Sequence, residues 1–361
     1  MSQSSIMLYP EHLWKQCTVF AVENPLSKKI LNKQQKRRIA QDHEVARKNI
    51  IFNDLESNTE GLEPEATGLV ITNYGLHVLI EGLDGAHCGN HYRCYKRANV
   101  PSLVAGDLVI WRHANPFGVV VARKNRSSKL ARVDISGKIK SVAANVSQIF
   151  VVIACAPSPK PNLIDRYIVA AEAEKIVVKL IANKMDLTNH KNLTYLEKVI
   201  SKYTHVGYPI IRSSVKIPCG INLIKDHLRN ETSLFVGQSG VGKSSLLNLI
   251  EPTANSPTRT LSIANEQGSH TTTASRLFRV SSGGNLIDSP GTHAFSLAHL
   301  DSRQLMQGFK DFHPFLGQCK FRDCIHDEQS GCALVEATKK NLVSATRLKN
   351  YHLIRDELKR T

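Results

Sequence analysis

A phosphate-binding pattern of the form G-x-x-x-x-G-K-S lies in the second half of the chain. Its residues are Gly237, Gln238, Ser239, Gly240, Val241, Gly242, Lys243 and Ser244. An apolar segment precedes it and an apolar helical segment follows from Ser245, which is the strand–loop–helix context of a P-loop. Glycines and a helix N-terminus let backbone N–H groups point at phosphate oxygens. The pattern predicts nucleotide binding, with the Lys243 ammonium on the β- and γ-phosphates and the Ser244 hydroxyl on Mg²⁺. Ser245 completes the predicted contacts.

A second pattern, N-K-x-D, follows an apolar strand sequence and predicts recognition of guanine. Ligands bind at the carboxyl ends of parallel strands, where this pattern would lie. The Asp186 carboxylate can accept from both the N1–H and the 2-amino group of guanine, and adenine lacks that donor pair. Asn183 and Lys184 would steady the base and the loop. Ser213 and Ser214 follow the next strand sequence, and they either offer a backbone N–H to guanine O6 or form a plain turn.

Two segments further along the chain predict contacts to Mg²⁺ and the γ-phosphate. A D-x-x-G pattern places Asp288 on Mg²⁺ through water and the Gly291 N–H on the γ-phosphate. The polar segment before it resembles a switch loop, and we assign its Thr272 to Mg²⁺, although the sequence does not select among three threonines. Thr292 stands where a water-orienting glutamine is usual, so we expect slow intrinsic hydrolysis. His270 is the local candidate for orienting water, and a purely structural histidine is the alternative.

Three cysteines and one histidine lie within fourteen residues near the C-terminus. They are Cys319, Cys324, His326 and Cys332. In a cytosolic chain, disulfides are not the default state of such cysteines. Three thiolates and one imidazole form a closed tetrahedral set, so the cluster predicts one structural Zn²⁺ ion. Free thiols beside a surface histidine are the alternative.

The nucleotide motifs occur in an unusual order. In ordinary small GTPases the P-loop comes first and N-K-x-D comes late, whereas here N-K-x-D precedes the P-loop and D-x-x-G comes last. Sheet topology survives such a circular permutation when the original termini lie close together. In this order, the segments that would sense the γ-phosphate lead directly into the C-terminal region. We therefore expect a movement of these segments to move the C-terminal region as well.

The surrounding elements predict a multi-domain protein. Residues 67–146 contain short β-type segments separated by turns, which favours an OB-type β-barrel that binds RNA. Residues 147–300 alternate apolar strands with helical patterns, which indicates an α/β P-loop GTPase domain, circularly permuted, with a mostly parallel sheet. Residues 301–361 hold the cysteine cluster and a helical segment, which predicts a mostly helical zinc-binding domain. We interpret residues 1–66 as an N-terminal extension, a basic arm and a linker.

The charge of the chain indicates a polyanionic partner. Its 361 residues include 47 Lys and Arg against 31 Asp and Glu, for a formal net charge of +16. Cations cluster in the basic arm at 27–48 and in the C-terminal segment 333–360, a distribution typical of RNA contact. A solvated basic surface is the alternative. Neither a membrane-length apolar segment nor a signal peptide is evident, so we expect a cytoplasmic protein without membrane contact.

Together the motifs resemble one family, the circularly permuted bacterial GTPases of small ribosomal subunit biogenesis known as RsgA or YjeQ. The resemblance covers residues 27–361 and rests on the basic arm, the barrel pattern, the motif order and the Cys₃His cluster. It implies GTP hydrolysis stimulated by the small (30S) ribosomal subunit, late in maturation of that subunit. It also implies that His270 occupies the position of a histidine that aids catalysis. Ser269 and the Thr292–His293 pair depart from the family's usual residues, which leaves catalytic details open.

Two functions from different classes follow from these patterns. The leading one is a Mg²⁺-dependent GTP hydrolase that binds the 30S subunit and 16S rRNA as a monomer and leaves in its GDP form. The alternative is a nucleotide-gated RNA-binding assembly factor with negligible turnover, which the missing glutamine favours. An ATP-using P-loop enzyme is disfavoured by Asp186.

Overall fold

The computed structural model describes residues 62–133, 137–187, 191–217, 219–252, 275–288, 295–327 and 330–359. All of them belong to one unit of the fold, Asn58–Thr361. The predicted basic arm and most of the predicted switch segments lie outside the described residues. Within the described residues, no helix combines the length and the apolar character needed to cross a membrane.

Five strands form a closed barrel at the start of the described chain. They are β1 (Glu65–Asn73), β2 (Val78–Gly82), β3 (His91–Lys96), β4 (Leu108–Arg112) and β5 (Gly118–Arg123). Strand β3 runs parallel to β5, the other neighbours are antiparallel, and β4 returns to pair with β1. Alternate residues point inward, so Val70, Ile80, Val109 and Trp111 fill a buried core. This arrangement fits the predicted OB-type barrel.

The last β-type segment of the predicted barrel region lies outside the barrel. Strand β6 (Lys129–Val133) pairs with β7 (Ile139–Ala144) in a separate two-stranded antiparallel sheet. The pairing of β1 with β4 already closes the barrel, so no edge between those strands is left for β6. The Ala144 N–H donates to the Ala105 carbonyl at 3.1 Å and fixes the hairpin beside the loop that leads into β4.

A second group of six strands forms the mostly parallel sheet that the sequence predicts. They are β8 (Gln148–Ala154), β9 (Val177–Asn183), β10 (Ile210–Arg212), β11 (Thr232–Val236), β12 (Arg276–Arg279) and β13 (Asn285–Asp288). Their order across the sheet is β10-β9-β8-β11-β13-β12, and within this group only β12 is antiparallel to its neighbour. The carboxyl ends of β8, β9, β11 and β13 therefore meet at one edge.

Helices cover both faces of this sheet because its central strands are apolar on both sides. The helices are α1 (Pro161–Ala173), α2 (Leu193–Val206), α3 (Ile221–Leu228) and α4 (Lys243–Ile250). In β8, Ile149 and Val151 share one buried cluster with residues of α1 and α2. Phe150 and Val152, which point the other way, share a second cluster with residues of α3 and α4. Successive side chains of a strand point to opposite faces of the sheet, so alternate residues of β8 pack with α1 and α2 on one face and with α3 and α4 on the other.

Strand β10 is shorter than the sequence predicts. The largely apolar sequence at 206–212 predicts a strand there, but α2 continues through Val206 and ends at Gly207, whose φ is 95°. The Tyr208 N–H donates to the Tyr203 carbonyl at 3.1 Å, which adds a partner to a carbonyl of the last helical turn. The helix end at Gly207 and Tyr208 therefore occupies residues for which the sequence predicts a strand.

The described C-terminal segment is helical and lies against α1. It contains α5 (Ser302–Gln307), a 3₁₀ helix (Lys310–Phe315), α6 (Ala333–Lys339) and α7 (Ala345–Leu358). The expected single helical region over 333–360 is interrupted at Asn341, whose φ is 57°. On α7, Arg347 and Asn350 both donate to the buried carboxylate of Asp165 on α1.

The barrel and the α/β sheet share one continuous run of strands. Strand β12 pairs with β13 on one side and with β1 on the other, where Thr72 faces Arg276. Next to this pairing, Arg279 of β12 donates to both carboxylate oxygens of Glu81 on β2, at 2.9–3.2 Å. The barrel therefore contacts the strand that follows the predicted switch loop.

Candidate functional site

The P-loop connects β11 to α4 at the carboxyl edge of the sheet, where the sequence predicts it. Three of its glycines have positive φ, namely Gly237 at 144°, Gly240 at 79° and Gly242 at 100°. A Cβ added to Gly237 would lie 2.3 Å from the Val152 carbonyl oxygen, and one on Gly242 would lie 2.3 Å from Asn183 Nδ2. Neither position has space for a side chain, so the loop needs glycine there for both its conformation and its packing.

Helix α4 begins at Lys243 with Gly242 as its N-cap. Leu246, Leu247 and Ile250 are buried and fix the helix on the sheet. Ser244 and Ser245 are exposed in the first turn. Their backbone N–H groups belong to the first turn, which has no acceptor within the helix, so they are available to a bound phosphate.

Lys243, at the start of α4, and Asp288, at the end of β13, provide opposite charges at this edge of the sheet. The Lys243 ammonium donates to the carbonyls of Gly237 at 2.9 Å and Gln238 at 2.7 Å, which holds it across the loop. Burial lowers the pKa of Lys243, and the negative charge of Asp288 opposes that shift. Burial raises the pKa of Asp288, and the positive charge of Lys243 opposes it. A bound polyanion would pair with the Lys243 ammonium, and the cation that accompanies it would pair with the Asp288 carboxylate.

Asn183 joins the predicted guanine motif to the P-loop. It ends β9, and its Nδ2 donates to the Val241 carbonyl at 2.9 Å. The Ser213 hydroxyl donates to Asn183 Oδ1 at 3.2 Å and sets the amide orientation. Lys184 follows with φ 62°, and its ammonium donates to the Ala156 carbonyl at 2.8 Å after β8. The base motif and the phosphate motif therefore form one hydrogen-bonded unit.

Asp186 has a defined orientation at the rim of this unit. The Ser214 hydroxyl donates to its Oδ1 at 2.6 Å, and this hydrogen bond lowers the pKa of Asp186. The carboxylate is thus ionised near neutral pH, the form that can accept two hydrogen bonds from guanine.

The two serines act through their hydroxyls in this structure. The Ser213 N–H donates to the Ala182 carbonyl at 2.8 Å, and the Ser214 N–H donates to the Cys219 carbonyl at 3.4 Å. The hydroxyls of both residues contact the N-K-x-D motif instead. A backbone contact from these residues to guanine O6 stays a prediction.

Three predicted site residues lie outside the described part of the chain. They are His270, Thr272 and Gly291. The described strands nearest to them in sequence are β12, which begins at Arg276, and β13, which ends at Asp288. The roles assigned to these three residues therefore stay predictions.

The four predicted metal ligands converge near the C-terminus. His326 Nδ1 lies 3.5 Å from Cys319 Sγ, 3.7 Å from Cys324 Sγ and 3.5 Å from Cys332 Sγ. Tetrahedral sulfur and nitrogen ligands on one zinc ion lie about 3.5 Å apart, given Zn–S near 2.3 Å and Zn–N near 2.0–2.1 Å. The donor set and its spacing therefore fit one structural Zn²⁺ ion.

Neighbouring residues hold this cluster in place. His352 Nε2 lies 2.9 Å from the His326 carbonyl oxygen, and Arg355 donates to the Ile325 carbonyl at 2.7 Å. Both are on α7, so the helix that lies against α1 also orients the ligand loop. Such outer contacts fix ligand geometry in metal sites.

One further group of potential ligands was missed by the sequence analysis. Glu63, His87 and His113 place ligand atoms within 4.8 Å of one another on the barrel. These residues are 24 and 26 positions apart and form no motif, so spacing offers no signal. Only the closure of the barrel brings them together.

The chain is similar to known proteins of one family. A model of the RsgA GTPase family matches residues 123–298. A small ribosomal subunit biogenesis GTPase RsgA from Hahella chejuensis is 44% identical over 339 residues, 92% of this chain and 97% of the relative. The protein of that name from Ectopseudomonas mendocina is 47% identical over 294 residues, 81% of this chain and 86% of the relative.

Two solved structures are similar in fold to this chain. YjeQ from Thermotoga maritima aligns with a TM-score of 0.65 at 28% identity, over 82% of this chain and 99% of that one. YloQ, a circularly permuted GTPase, aligns with a TM-score of 0.62 at 25% identity, over 82% and 96%. By similarity that extends over nearly its whole length, this chain belongs to the RsgA family of GTPases.

Proposed function

We propose that the protein is a GTPase that binds the small (30S) ribosomal subunit and hydrolyses GTP faster when bound. It would act late in maturation of that subunit and contact 16S rRNA. The names of its relatives, small ribosomal subunit biogenesis GTPases, support the biological setting. The arrangement of this chain's own residues supports the chemistry.

The observation that carries the proposal is the hydrogen bond from Asn183 to the Val241 carbonyl. It holds the base motif against the loop that would hold the phosphates, so one nucleotide would contact both. Asp186 would select guanine, and Gly237 through Ser245 would enclose the phosphates. GTP and its product GDP fit this set, because both carry guanine and the α- and β-phosphates.

Oxygen donors at the phosphate end suit Mg²⁺, which prefers hard oxygen ligands. The exposed hydroxyl of Ser244 and the carboxylate of Asp288 would hold it, with Thr272 as a third group. When bound, the ion neutralises charge on the transferred phosphoryl group. Gly291 would contact the γ-phosphate and His270 would orient the attacking water.

For the domain layout we propose four parts. Residues 1–66 are an extension with a basic arm, 67–146 the RNA-binding barrel, 147–300 the permuted GTPase domain and 301–361 the zinc-binding domain. We expect a cytoplasmic monomer that contacts RNA through its flanking parts. The net charge of +16 supports a polyanionic partner.

Phosphate release is the direct test of this proposal. It would be measured from GTP and, separately, from ATP, with and without purified small ribosomal subunits at one defined salt concentration. We expect a low rate with GTP that rises strongly with subunits, and none with ATP. Equal rates with the two nucleotides would overturn the guanine assignment.

The second candidate, a nucleotide-gated RNA-binding factor with negligible turnover, is favoured by one observation. Thr292 stands where a water-orienting glutamine is usual. If subunits bind in a GTP-dependent manner while the rate stays unchanged, this candidate replaces the first. A His270→Ala variant adds a second test, because it should lose subunit-stimulated hydrolysis and keep GTP affinity if His270 orients water.

A further inference from the structure

Two histidines and a glutamate form a cluster at one end of the barrel. His87 Nε2 lies 2.7 Å from Glu63 Oε2, and His113 Nδ1 lies 2.8 Å from Glu63 Oε1. The two imidazole rings are stacked, with centroids 4.8 Å apart and an angle of 26° between their planes. Two ring nitrogens and a carboxylate thus place three potential ligand atoms within 4.8 Å of one another.

The barrel backbone determines this convergence. His113 directly follows β4, and its carbonyl accepts from the Glu63 N–H at 3.0 Å, just before β1. His87 ends a short 3₁₀ turn, Gly85–His87, between β2 and β3. The Gly82 N–H donates to Asn90 O and the Gly89 N–H to Gly82 O, which closes the loop around that turn. Each ligand therefore stands on a separate, hydrogen-bonded segment.

The surroundings of His87 leave one ring nitrogen for a ligand role. Its Nδ1 lies 2.9 Å from the Tyr92 hydroxyl, and its ring packs edge-on against Trp111 at 5.4 Å. If Nδ1–H donates to the Tyr92 hydroxyl, then Nε2 carries the lone pair and points at Glu63. Outer hydrogen bonds of this kind set the tautomer of metal-binding histidines.

We propose that Glu63, His87 and His113 form a second metal site, which binds a divalent transition ion of the zinc type. Two imidazoles and one carboxylate are a donor set used for such ions, with further positions left to water. Ligand atoms on one tetrahedral ion stand about 3.3 Å apart for bond lengths of about 2.0–2.2 Å. The observed contacts, 2.7 Å to Glu63 Oε2 and 2.8 Å to Glu63 Oε1, are shorter than this, so metal binding requires the Glu63 side chain, which is 48% exposed, to move outward.

The cluster is partly exposed to solvent, so an ion could enter and leave, and aromatic side chains support it from the other side. The side chains of His87 and His113 are 17% and 27% exposed, so one side of the cluster faces solvent. Trp111 and Tyr92 form the opposite wall, with ring centroids 4.8 Å apart. A bound ion would link the segment before β1, the turn after β2 and the end of β4.

A simple hydrogen-bonded cluster is the competing interpretation, in which the Glu63 carboxylate accepts hydrogen bonds from the two histidine rings. The hydrogen bonds from His87 and His113 lower the pKa of Glu63, and such pairing needs no metal. The two interpretations differ in what happens when a metal ion is added at neutral pH. A metal site takes up one ion per chain and loses it when any ligand is removed.

The test uses the full-length protein with its Cys₃His zinc retained, titrated with Zn²⁺ or Co²⁺ alone. Calorimetry and metal analysis would count ions, and the Co²⁺ spectrum separates the sites, because thiolate ligands give intense charge-transfer bands and imidazole with carboxylate does not. We expect one additional ion per chain without thiolate bands. His87→Ala and His113→Ala should weaken it beyond the 10–100-fold typical of outer-shell changes, that is by roughly 100-fold or more.

Two further variants keep the test decisive. His205→Ala, at an exposed position on α2, is the matched control and should leave the additional ion in place. Glu63→Gln removes a ligand charge at an exposed position, so it tests the site even if the histidine variants fold poorly. No additional ion in the native protein, or equal uptake by native protein and Glu63→Gln, would overturn the proposal.

Discussion

Gly242 stands where the base motif and the phosphate loop meet. Its φ is 100°, and a Cβ there would lie 2.3 Å from Asn183 Nδ2, the atom that donates to the Val241 carbonyl. We expect Gly242→Ala to displace Asn183 and to reduce GDP affinity by at least tenfold. Binding of a fluorescent GDP analogue would measure the loss.

A matched glycine separates this contact from backbone strain. Gly283 has nearly the same φ, 97°, but a Cβ there would meet no atom within 4 Å. Gly283→Ala should therefore cost only the left-handed backbone strain, about 1–2 kcal/mol of the free energy of unfolding, and leave GDP affinity unchanged. Equal affinity losses in the two variants would contradict the role given to the Asn183 contact.

Asp186 is expected to decide which base the protein accepts. Its carboxylate would accept hydrogen bonds from two donor groups of guanine. In Asp186→Asn, the side-chain NH₂ group would face one of these guanine donors, and that hydrogen bond would be lost. We expect GTP affinity to fall by about 100-fold, equivalent to about 3 kcal/mol and within the range for hydrogen bonds to charged groups. Xanthosine triphosphate, with a carbonyl in place of the 2-amino group, should bind the variant better than GTP does.

Competition binding with the four nucleotides ATP, GTP, ITP and XTP would check this. Inosine lacks only the 2-amino group and serves as the control for a single lost hydrogen bond. If Asp186→Asn keeps its preference for GTP over both ATP and XTP, another group recognises the base.

At the residue scale, the sequence indicated the local motifs and missed one dispersed cluster, that of Glu63, His87 and His113. Asn183, Asp186 and Lys243 stand in short patterns whose spacing reflects one loop, so the pattern carries the chemistry. Glu63 and His113 are brought together only by strand pairing across the barrel. No spacing in the sequence encodes a contact of that kind.

At the element scale, the strand pair β1–β12 is the feature that connects the barrel to the GTPase sheet. The Glu81 carboxylate, only 9% exposed, accepts three hydrogen bonds from Arg279 beside that pair. Glu81→Gln removes the charge and leaves guanidinium donors without full partners. We expect the free energy of unfolding to fall by about 1–3 kcal/mol, as measured by urea denaturation.

Glu65→Gln is the control for this prediction. Glu65 pairs with Arg112 at 3.2 Å, but the two side chains are 53% and 35% exposed. Water screens such a pair, so the change should stay within about 1 kcal/mol. A Glu81→Gln effect no larger than that of Glu65→Gln would mean that the junction does not depend on the ion pair.

The predictions of strands failed mainly where pairing between distant parts of the chain, and not the local sequence pattern, determines the strand. The buried strands β8 and β11 and the helices α1 to α4 follow from apolar runs and helical spacing. Strand β12 and its pairing with β1 do not, because Thr72 and Arg276 are about two hundred positions apart and β12 spans only Arg276–Arg279. The end of α2 at Gly207 was missed for a local reason, since the apolar pattern continues past the helix.

At the scale of the whole molecule, one buried network holds the C-terminal segment on the GTPase sheet. Asp165 on α1 is fully buried and accepts from Arg347, from Asn350 at 2.6 Å and from the Tyr203 hydroxyl at 2.9 Å. Arg347 also pairs with Asp311 of the 3₁₀ helix. Because α7 also contacts the loop that holds the Cys₃His cluster, this network links that cluster to the sheet that carries the P-loop.

Removing Arg347 should therefore loosen the whole C-terminal segment. Arg347→Met leaves the Asp165 carboxylate buried without its cation, which typically costs about 3–5 kcal/mol. Hydrogen exchange of the α7 amides would report the loss as a lower opening free energy, while β8 amides stay protected. Arg166→Met is the control, because the Arg166–Glu357 pair joins the same two helices but Glu357 is 59% exposed. That variant should lower α7 protection by about 1 kcal/mol or less. Equal effects of the two variants would show that helix packing, and not the buried charge pair, holds the segment in place.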